Sequence, residues 1–420
     1  MSKKQTKTKS KEDIGRVAEM AANMVAFSNA DENPPLMGSR IRIWKQDPTV
    51  KGIGVRTTYV HTKVDEGPID SQIVIKGLPI VSADSNGDFL FATPNPPIVD
   101  NILNPPPISE EDKKFDAAHT YAIVRKVLTM YQRVLGKRLS WAWNTNSNND
   151  PLEVYPHANK GKRAFYERAL KAIKFEYFFP VGFEPIFTCR SLDVVSHETG
   201  HAVLDSLKPN WGSSEPGSNP PPQIGALHES FGDLTSIFYI LSQFDQVEYI
   251  IAQTKSDLHY QKNILATWSE QLEFIPGFDG PRNADNDLKL SEVGNEVHKL
   301  SQVFTGAVYD TLADVFSSTR DSRLRHDSET LYLAGQYMLK LILNAIISSP
   351  DSEVTFADVA KEMIKIAEEE GNSDYVRFIQ NNFRVREVLT EEAEPTAFNI
   401  MEAIEGDFSN CCATFQSETS

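Results

Sequence analysis

The chain of 420 residues is 40% apolar and 24% charged, which provides core material for one or two folded domains and excludes global disorder. Its formal net charge of -16 disfavours nucleic acid and acidic membranes as partners, because both require clustered lysine and arginine. Its three cysteines, Cys189, Cys411 and Cys412, are spaced neither as a disulfide framework nor as a four-thiolate zinc site.

The N-terminal segment carries five lysines within residues 1–11 but does not continue as a secretory signal. Residues 17–27 are only mildly apolar and are interrupted by Glu19 and Asn23. We therefore predict that residues 1–38 form a leader or short prosegment, with a disordered tail as the alternative. No run of about 18 uninterrupted apolar residues occurs, so we expect no membrane span and a protein that is cytoplasmic or exported by a non-classical route.

Residues 39–93 contain short alternating runs broken by glycine, proline and aspartate, a pattern typical of strands in an antiparallel, meandering sheet. Within them, the Asn-Gly pair of residues 83–88 predicts a hairpin turn. After a proline-rich connection, residues 115–136 have helical periodicity, residues 139–187 again resemble strands, and residues 193–389 are predominantly helical.

This order of elements predicts an α+β fold. We place a β-rich N-terminal domain at residues 39–192, a mainly helical C-terminal domain at residues 193–405 and a polar tail at residues 406–420. The sequence contains no internal repeat.

The segment from His197 to His201 reads His-Glu-Thr-Gly-His. On a helix, residues four apart lie about 40° apart around the axis, so both imidazoles project from one face and can share a metal ion. Glu198 lies beside this pair, where its carboxylate can reach a metal-bound water. The pattern therefore predicts a metal site, and the exposed polar face of an ordinary helix is the alternative.

A third ligand must come from elsewhere, because catalytic zinc usually takes three protein ligands and one water. Glu229 and Asp233 lie four apart on one face of a second predicted helix, and His298 lies at the start of a third. Taken singly, a glutamate on a helix is usually solvated charge and a lone histidine is usually structural. The three segments together favour a metal centre.

Beyond the five-residue motif, several blocks resemble the thermolysin-like zinc metalloproteases, the gluzincins, in which His-Glu-x-x-His is followed by a glutamate ligand on the next helix. The matching blocks are Phe115–His119, Asp193–Asp205, Glu229–Asp233, Val297–Ser301 and Thr355–Ala360. The resemblance spans about residues 115–389. It implies a thermolysin-like two-lobed fold, with a β-rich N-terminal domain, a mainly helical C-terminal domain and an active-site cleft between them.

For the chemistry, the resemblance implies that His197, His201 and Glu229 bind one catalytic Zn²⁺ and that Glu198 is the general base for a metal-activated water. His298 would stabilise the developing oxyanion. The implied activity is zinc-dependent endopeptidase hydrolysis of a peptide or protein substrate. A catalytically inactive binding protein of the same fold and an aminopeptidase of the same broad group are the alternatives.

Three further roles follow from the same resemblance. Asp233 would orient His197 as a hydrogen-bond partner. Arg282 would bind a substrate carbonyl and brace the glutamate ligand. Ala164 would lie on an edge strand whose backbone pairs with the substrate.

The sequence departs from the family pattern in three places, one of which is Arg163, where the family usually has a substrate-binding asparagine. The proline-rich residues 212–223 lengthen the connection between His201 and Glu229 and contain no tyrosine, so the family's tyrosine oxyanion partner has no counterpart there. Asp193 matches a calcium ligand of the family, but Ile240 stands where a second carboxylate is expected. The family's double calcium site is therefore incomplete in this sequence, and any Ca²⁺ would be an additional ion besides the one catalytic Zn²⁺ that the motif predicts.

Overall fold

The computed structural model describes residues 38–390, apart from positions 49, 51, 213–219, 261 and 269–281. The chain divides into two units, the first ending at Val203 and the second beginning at Leu204. The predicted leader, except Gly38, and the predicted polar tail lie outside the described residues, as do Cys411 and Cys412.

Helices and strands are both present, which confirms the α+β class. The strands of the first unit are β1 (Ser39–Trp44), β2 (Val55–Val60), β3 (Ile73–Ile75), β4 (Leu152–Tyr155), β5 (Ala164–Glu167), β6 (Ala172–Phe175), β7 (Tyr177–Phe178) and β8 (Ile186–Phe187). Its helices are α1 (Glu110–Leu135) and most of α2 (Leu192–Leu207).

The second unit is mainly helical in its described part. Its helices are α3 (Pro222–Leu241), α4 (Phe244–Thr254), α5 (Val297–Thr319), α6 (Asp327–Ser348), α7 (Phe356–Glu369) and α8 (Ser373–Val385), and its strands are β9 (Thr267–Trp268) and β10 (Arg282–Asn283). Single turns of 3-10 helix lie at Arg168–Leu170, Thr188–Arg190 and Pro209–Trp211.

Helix α1 connects strands β3 and β4 of the first unit. Its start is specified locally, because the Ser109 side chain accepts a hydrogen bond from the Asp112 N–H and acidic residues fill the first turn. On its buried face, Tyr121 Oη donates to Asp70 Oδ2 at 2.7 Å, and Arg125 Nη1 lies 3.3 Å from the same oxygen. These bonds satisfy a buried carboxylate and fix α1 to the segment before β3.

The four-stranded sheet has the order β3-β4-β6-β5, in which β3 and β6 run parallel to β4 and β5 runs antiparallel to β6. The antiparallel pairing predicted for residues 39–93 is therefore wrong for β3, the one strand of this sheet that lies in that range. The physical reason is that helix α1 carries the chain from β3 to its neighbour β4. A helical connection between neighbouring strands joins them in parallel. Strands β1 and β2 do form an antiparallel pair.

The predicted strand at residues 88–93 does not form. Only Phe89 pairs, in an isolated parallel bridge to Ile41. The turn before it is present, with Gly87 at a φ of 79° and its N–H bonded to Asp84 O at 3.0 Å. The chain therefore turns at the Asn-Gly pair without forming the predicted hairpin of two strands.

Helix α3 is the central helix of the second unit. Every residue from Ile224 to Leu241 is buried except His228 and Glu229. It packs against α4, α5 and α6, and α5 also packs against α8. Helices α3 and α5 approach closely at Gly225, which leaves no room for a side chain there.

Among the described residues, one helix, α6, is long and apolar enough by length and composition to cross a membrane. The most apolar 18-residue window of this helix is 61% buried inside the protein, as expected for the core helix of a folded domain. This burial is compatible with the expectation of no membrane span.

Candidate metal centre

Helix α2 carries the His-Glu-Thr-Gly-His motif and continues through it without interruption. Val195, Ala202 and Val203 on this helix have no exposed surface. Their burial offsets the weakness of Gly200, which costs about 1 kcal/mol relative to alanine inside a helix. The helix thus holds the motif in the conformation that the spacing of its histidines requires.

Helix α2 brings the side chains of His197, Glu198 and His201 close together. The two imidazole centroids lie 4.6 Å apart with their planes at 89°, and ligand atoms of all three residues lie within 4.8 Å of one another. Two donors bound to one zinc at about 2.1 Å lie at most about 4.2 Å apart, so small side-chain rotations suffice to reach bonding distance. His197 and Glu198 are each 7% exposed. The two imidazoles are suited to hold a Zn²⁺ ion, and the Glu198 carboxylate lies beside them.

A second group of the predicted residues lies in the second unit, where α3, β10 and α5 contribute to it. Arg282 bridges two carboxylates, with Nη1 3.0 Å from Glu229 Oε2 and Nη2 3.0 Å from Asp233 Oδ1. One guanidinium can reach both because the two acids lie four residues apart on α3. His298 Nε2 lies 3.5 Å from Glu229 Oε2. The structure therefore brings these four predicted residues together.

Glu296 was not predicted from the sequence but belongs to this second group. Its carboxylate caps α5 by accepting hydrogen bonds from the backbone N–H groups of His298 and Lys299, at 3.2 and 2.8 Å. Oε1 also lies 2.6 Å from His298 Nδ1. Burial acts to raise the pKa of Glu296, but these hydrogen bonds outweigh it and lower that pKa below its ordinary value. An ionised carboxylate therefore fixes the His298 ring.

Ala164 is the first residue of β5, the edge strand of the four-stranded sheet, and pairs with Phe175 of β6. The N–H of the preceding Arg163 donates to Glu176 Oε2 at 3.0 Å. An edge strand can add an extended peptide through main-chain hydrogen bonds, so this position is chemically suited to the predicted substrate contact.

Asp193, the matched calcium ligand, contributes to the start of α2. Its Oδ1 accepts hydrogen bonds from the Ser191 hydroxyl and from the Val194 N–H, the latter at 2.8 Å. Ile240 is buried with 1% of its surface exposed. Within the part of the chain that the structure describes, Asp193 belongs to none of the groups of clustered metal-type side chains.

Asp116, His157 and Cys189 form another group of metal-type side chains in the first unit, which was not predicted from the sequence. Arg190 Nε lies 2.8 Å from Asp116 Oδ1, and His157 Nε2 lies 2.8 Å from Asp116 Oδ2. Because a guanidinium already neutralises the carboxylate, this group is a buried ion pair with a hydrogen-bonded imidazole.

His259, Asp285 and Asp310 form a further group of metal-type side chains, which lies in the second unit. His259 Nδ1 lies 2.7 Å from Asp285 Oδ1, and Asp310 Oδ2 lies 2.6 Å from Arg386 Nη2. These side chains are thus also engaged with protein partners. The sequence offered no local signal for this group, because its members come from separate segments.

No protein-family model matches the sequence, and no curated protein matches it. The interpretation of both groups of predicted residues therefore depends on their chemistry and on the sequence motif.

Proposed function

We propose that the protein is a zinc-dependent endopeptidase of the thermolysin-like type. The observation that carries the proposal is the cluster of His197, Glu198 and His201, two imidazoles and a carboxylate on one helix with ligand atoms within 4.8 Å. The pairing of Glu229 with Arg282 and His298 supports it, because all three have predicted roles at the same metal centre. The proposal includes the thermolysin-like two-lobed fold that the resemblance implies.

In this proposal, separate residues of the metal centre bind the ion, orient a ligand and transfer the proton. His197, His201 and Glu229 hold the Zn²⁺, and Asp233 orients His197. The ion supplies Lewis acidity, which polarises a peptide carbonyl and acidifies water. Glu198 accepts the proton of the attacking water and delivers it to the leaving amine.

The remaining residues act on the substrate. His298 donates a hydrogen bond from Nε2 to the oxyanion that develops on the carbonyl oxygen. Glu296 keeps that ring in place through its 2.6 Å contact with Nδ1. Arg282 braces Glu229 and binds a substrate carbonyl, and the backbone at Ala164 pairs with the extended substrate.

The test is hydrolysis of casein, an unstructured protein, by the full chain with and without a zinc chelator. Glu198→Gln should bind zinc like the wild type but lose about 10²–10⁴-fold in kcat/KM, because only the general base is removed. Glu248→Gln, a change at an exposed glutamate of α4, is the matched control and should leave kcat/KM unchanged.

Three outcomes would contradict the proposal. A Glu198→Gln variant that cleaves as fast as the wild type with equal zinc content would exclude the proposed base. Release of single N-terminal residues without internal cleavage would indicate an aminopeptidase. A wild type that binds zinc and peptides but cleaves none would indicate a binding protein, which needs neither a general base nor an oxyanion donor.

A further inference from the structure

Arg386, directly after α8, is a buried cation with no part in the proposed chemistry, and 2% of its surface is exposed. Its Nη1 donates to Asn286 Oδ1 at 3.2 Å and to Leu288 O at 3.1 Å. Its Nη2 donates to Asn286 O and lies 2.6 Å from Asp310 Oδ2. One guanidinium therefore connects the segment after β10 to helix α5.

Gly306 provides the space for this guanidinium on α5. A Cβ at position 306 would lie 2.8 Å from the guanidinium carbon of Arg386 and 2.9 Å from each terminal nitrogen. Burying a cation is unfavourable unless its donors are satisfied, and here both terminal nitrogens have acceptors. The close fit and the hydrogen bonds together define one position for the guanidinium.

Other bonds fix the same segment, residues 283–291, which we call the bridging segment. Leu290 N–H donates to Arg386 O at 3.1 Å, and Ser291 N–H donates to Glu387 Oε2 at 3.0 Å. Asn286 Nδ2 donates to Asn283 O at 2.8 Å and to Gln302 O on α5 at 3.2 Å. The bridging segment is thus held on both sides, by α5 and by the two residues that follow α8.

The bridging segment begins directly after Arg282 and ends a few residues before His298. Both of these residues pair with Glu229, at 3.0 and 3.5 Å. We propose that Arg386 is a positioning residue of the metal centre: by fixing the bridging segment it sets where Arg282 and His298 lie relative to Glu229. This inference rests on the proposed function, because it assigns a consequence for peptide hydrolysis.

The main test is a double-mutant cycle between Arg386→Met and His298→Ala in the full chain, with kcat and KM measured on a peptide from casein. A displacement of about 1 Å at a catalytic group can lower the rate about 100-fold, so we expect Arg386→Met to reduce kcat/KM by about 30- to 100-fold, mostly in kcat. In the His298→Ala background the same change should reduce it about tenfold less than in the wild type, because one of the two groups that it misplaces, His298, is already absent.

The matched control is Arg377→Met on α8, whose side chain is 63% exposed and pairs with Asp374 at the surface. It should leave kcat/KM within twofold of the wild type. Should Arg386→Met fail to fold, Arg386→Lys and Gly306→Ala serve in the same cycle, because each keeps a buried cation but displaces it. An equal reduction of kcat/KM by Arg386→Met in both backgrounds overturns the inference. A kcat/KM of Arg386→Met equal to that of the Arg377→Met control also overturns it.

Hydrogen exchange at backbone amides tests the positioning role of Arg386 without requiring that the protein hydrolyse peptides. A wild type no faster than Glu198→Gln would refute the proposed function alone. The positioning role is then tested by the exchange rates of three backbone amides. Those of His298 and Lys299 bond to the Glu296 carboxylate, and that of Leu290 bonds to Arg386 O. Exchange about tenfold faster in Arg386→Met than in Arg377→Met supports the positioning role, and unchanged exchange overturns it.

Discussion

At the scale of single residues, Asp116 carries a fully buried charge in the first unit. Burial alone raises its pKa, but the Arg190 guanidinium and the His157 imidazole outweigh burial and hold that pKa to about 2, below its ordinary value of 3.8. The unfolded chain therefore takes up this proton more readily than the folded one. The charge stabilises the fold by about 2 kcal/mol above about pH 4, and this contribution is lost as the pH falls toward 2.

We expect Asp116→Asn to lower the free energy of unfolding by about 3–5 kcal/mol near neutral pH, because it leaves Arg190 buried without its main counter-charge. The difference from the wild type should shrink by about 2 kcal/mol between pH 5 and pH 2, because over this range the unfolded wild-type chain takes up a proton at Asp116 before the folded chain does. Urea unfolding across this pH range measures both effects. Asp100→Asn, at an exposed position, should show neither, and a pH-independent difference for Asp116→Asn would contradict the assigned pKa.

The candidate site shows which single residues a sequence can reveal. His197 and His201 are recognisable because two residues four apart share a helix face whatever the rest of the chain does. Glu296 lies two positions from His298, yet an acidic residue before a helix is too common to stand out. Arg386 and Asn286 are 100 positions apart, and no local pattern relates them. Their pairing depends on tertiary packing alone.

At the scale of elements, the packing of α3 on α5 depends on Gly225. A Cβ at this position would lie 2.8 Å from Val297 Cγ1 and 3.5 Å from Pro220 Cγ. The branched valine cannot rotate away cheaply, so a side chain at position 225 must displace one helix from the other. This contact lies one residue before His298, so helix packing and the position of the candidate oxyanion donor are coupled.

We expect Gly225→Ala to lower the free energy of unfolding by about 1 kcal/mol, because overpacking of about 1–3 kcal/mol exceeds the helix propensity that alanine gains. Gly225→Val should lower it further. Gly294→Ala is the matched control, because nothing lies within 4 Å of a Cβ there, and it should be neutral or slightly stabilising. Thermal unfolding measures all three variants, and a Gly225→Ala protein more stable than the wild type would show that α3 and α5 have room to adjust.

Helices were predictable from the sequence to a greater degree than sheet pairing. The start of α1 at Glu110 rather than Phe115 follows from the Ser109 cap and three acidic residues of the first turn, which are local signals. The parallel pairing of β3 with β4 is not local, because Ile73 aligns with Leu152 across the whole of α1. Alternating residues identify a strand but leave its neighbour and direction open.

At the scale of the whole molecule, bound zinc should appear as added stability. A ligand that binds only the native chain stabilises it by RT ln(1 + [L]/Kd), or about 4 kcal/mol when the free ion is present at about 1,000 times its Kd. For 420 residues, the average unfolding entropy per residue converts this gain into a rise of about 5 °C in Tm. The stability of the chain therefore reports on the ligand set without any assay of activity.

We expect a chelator to lower the Tm of the wild type by about 5 °C and added Zn²⁺ to restore it. His201→Ala and Glu229→Gln should each abolish the response, because tight binding requires all three predicted ligands. Asp285→Asn, which alters the separate group with His259 and Asp310, should retain it. Loss of the response in His201→Ala but not in Glu229→Gln would remove the glutamate from the ligand set, and retention in both would place the metal elsewhere in the chain.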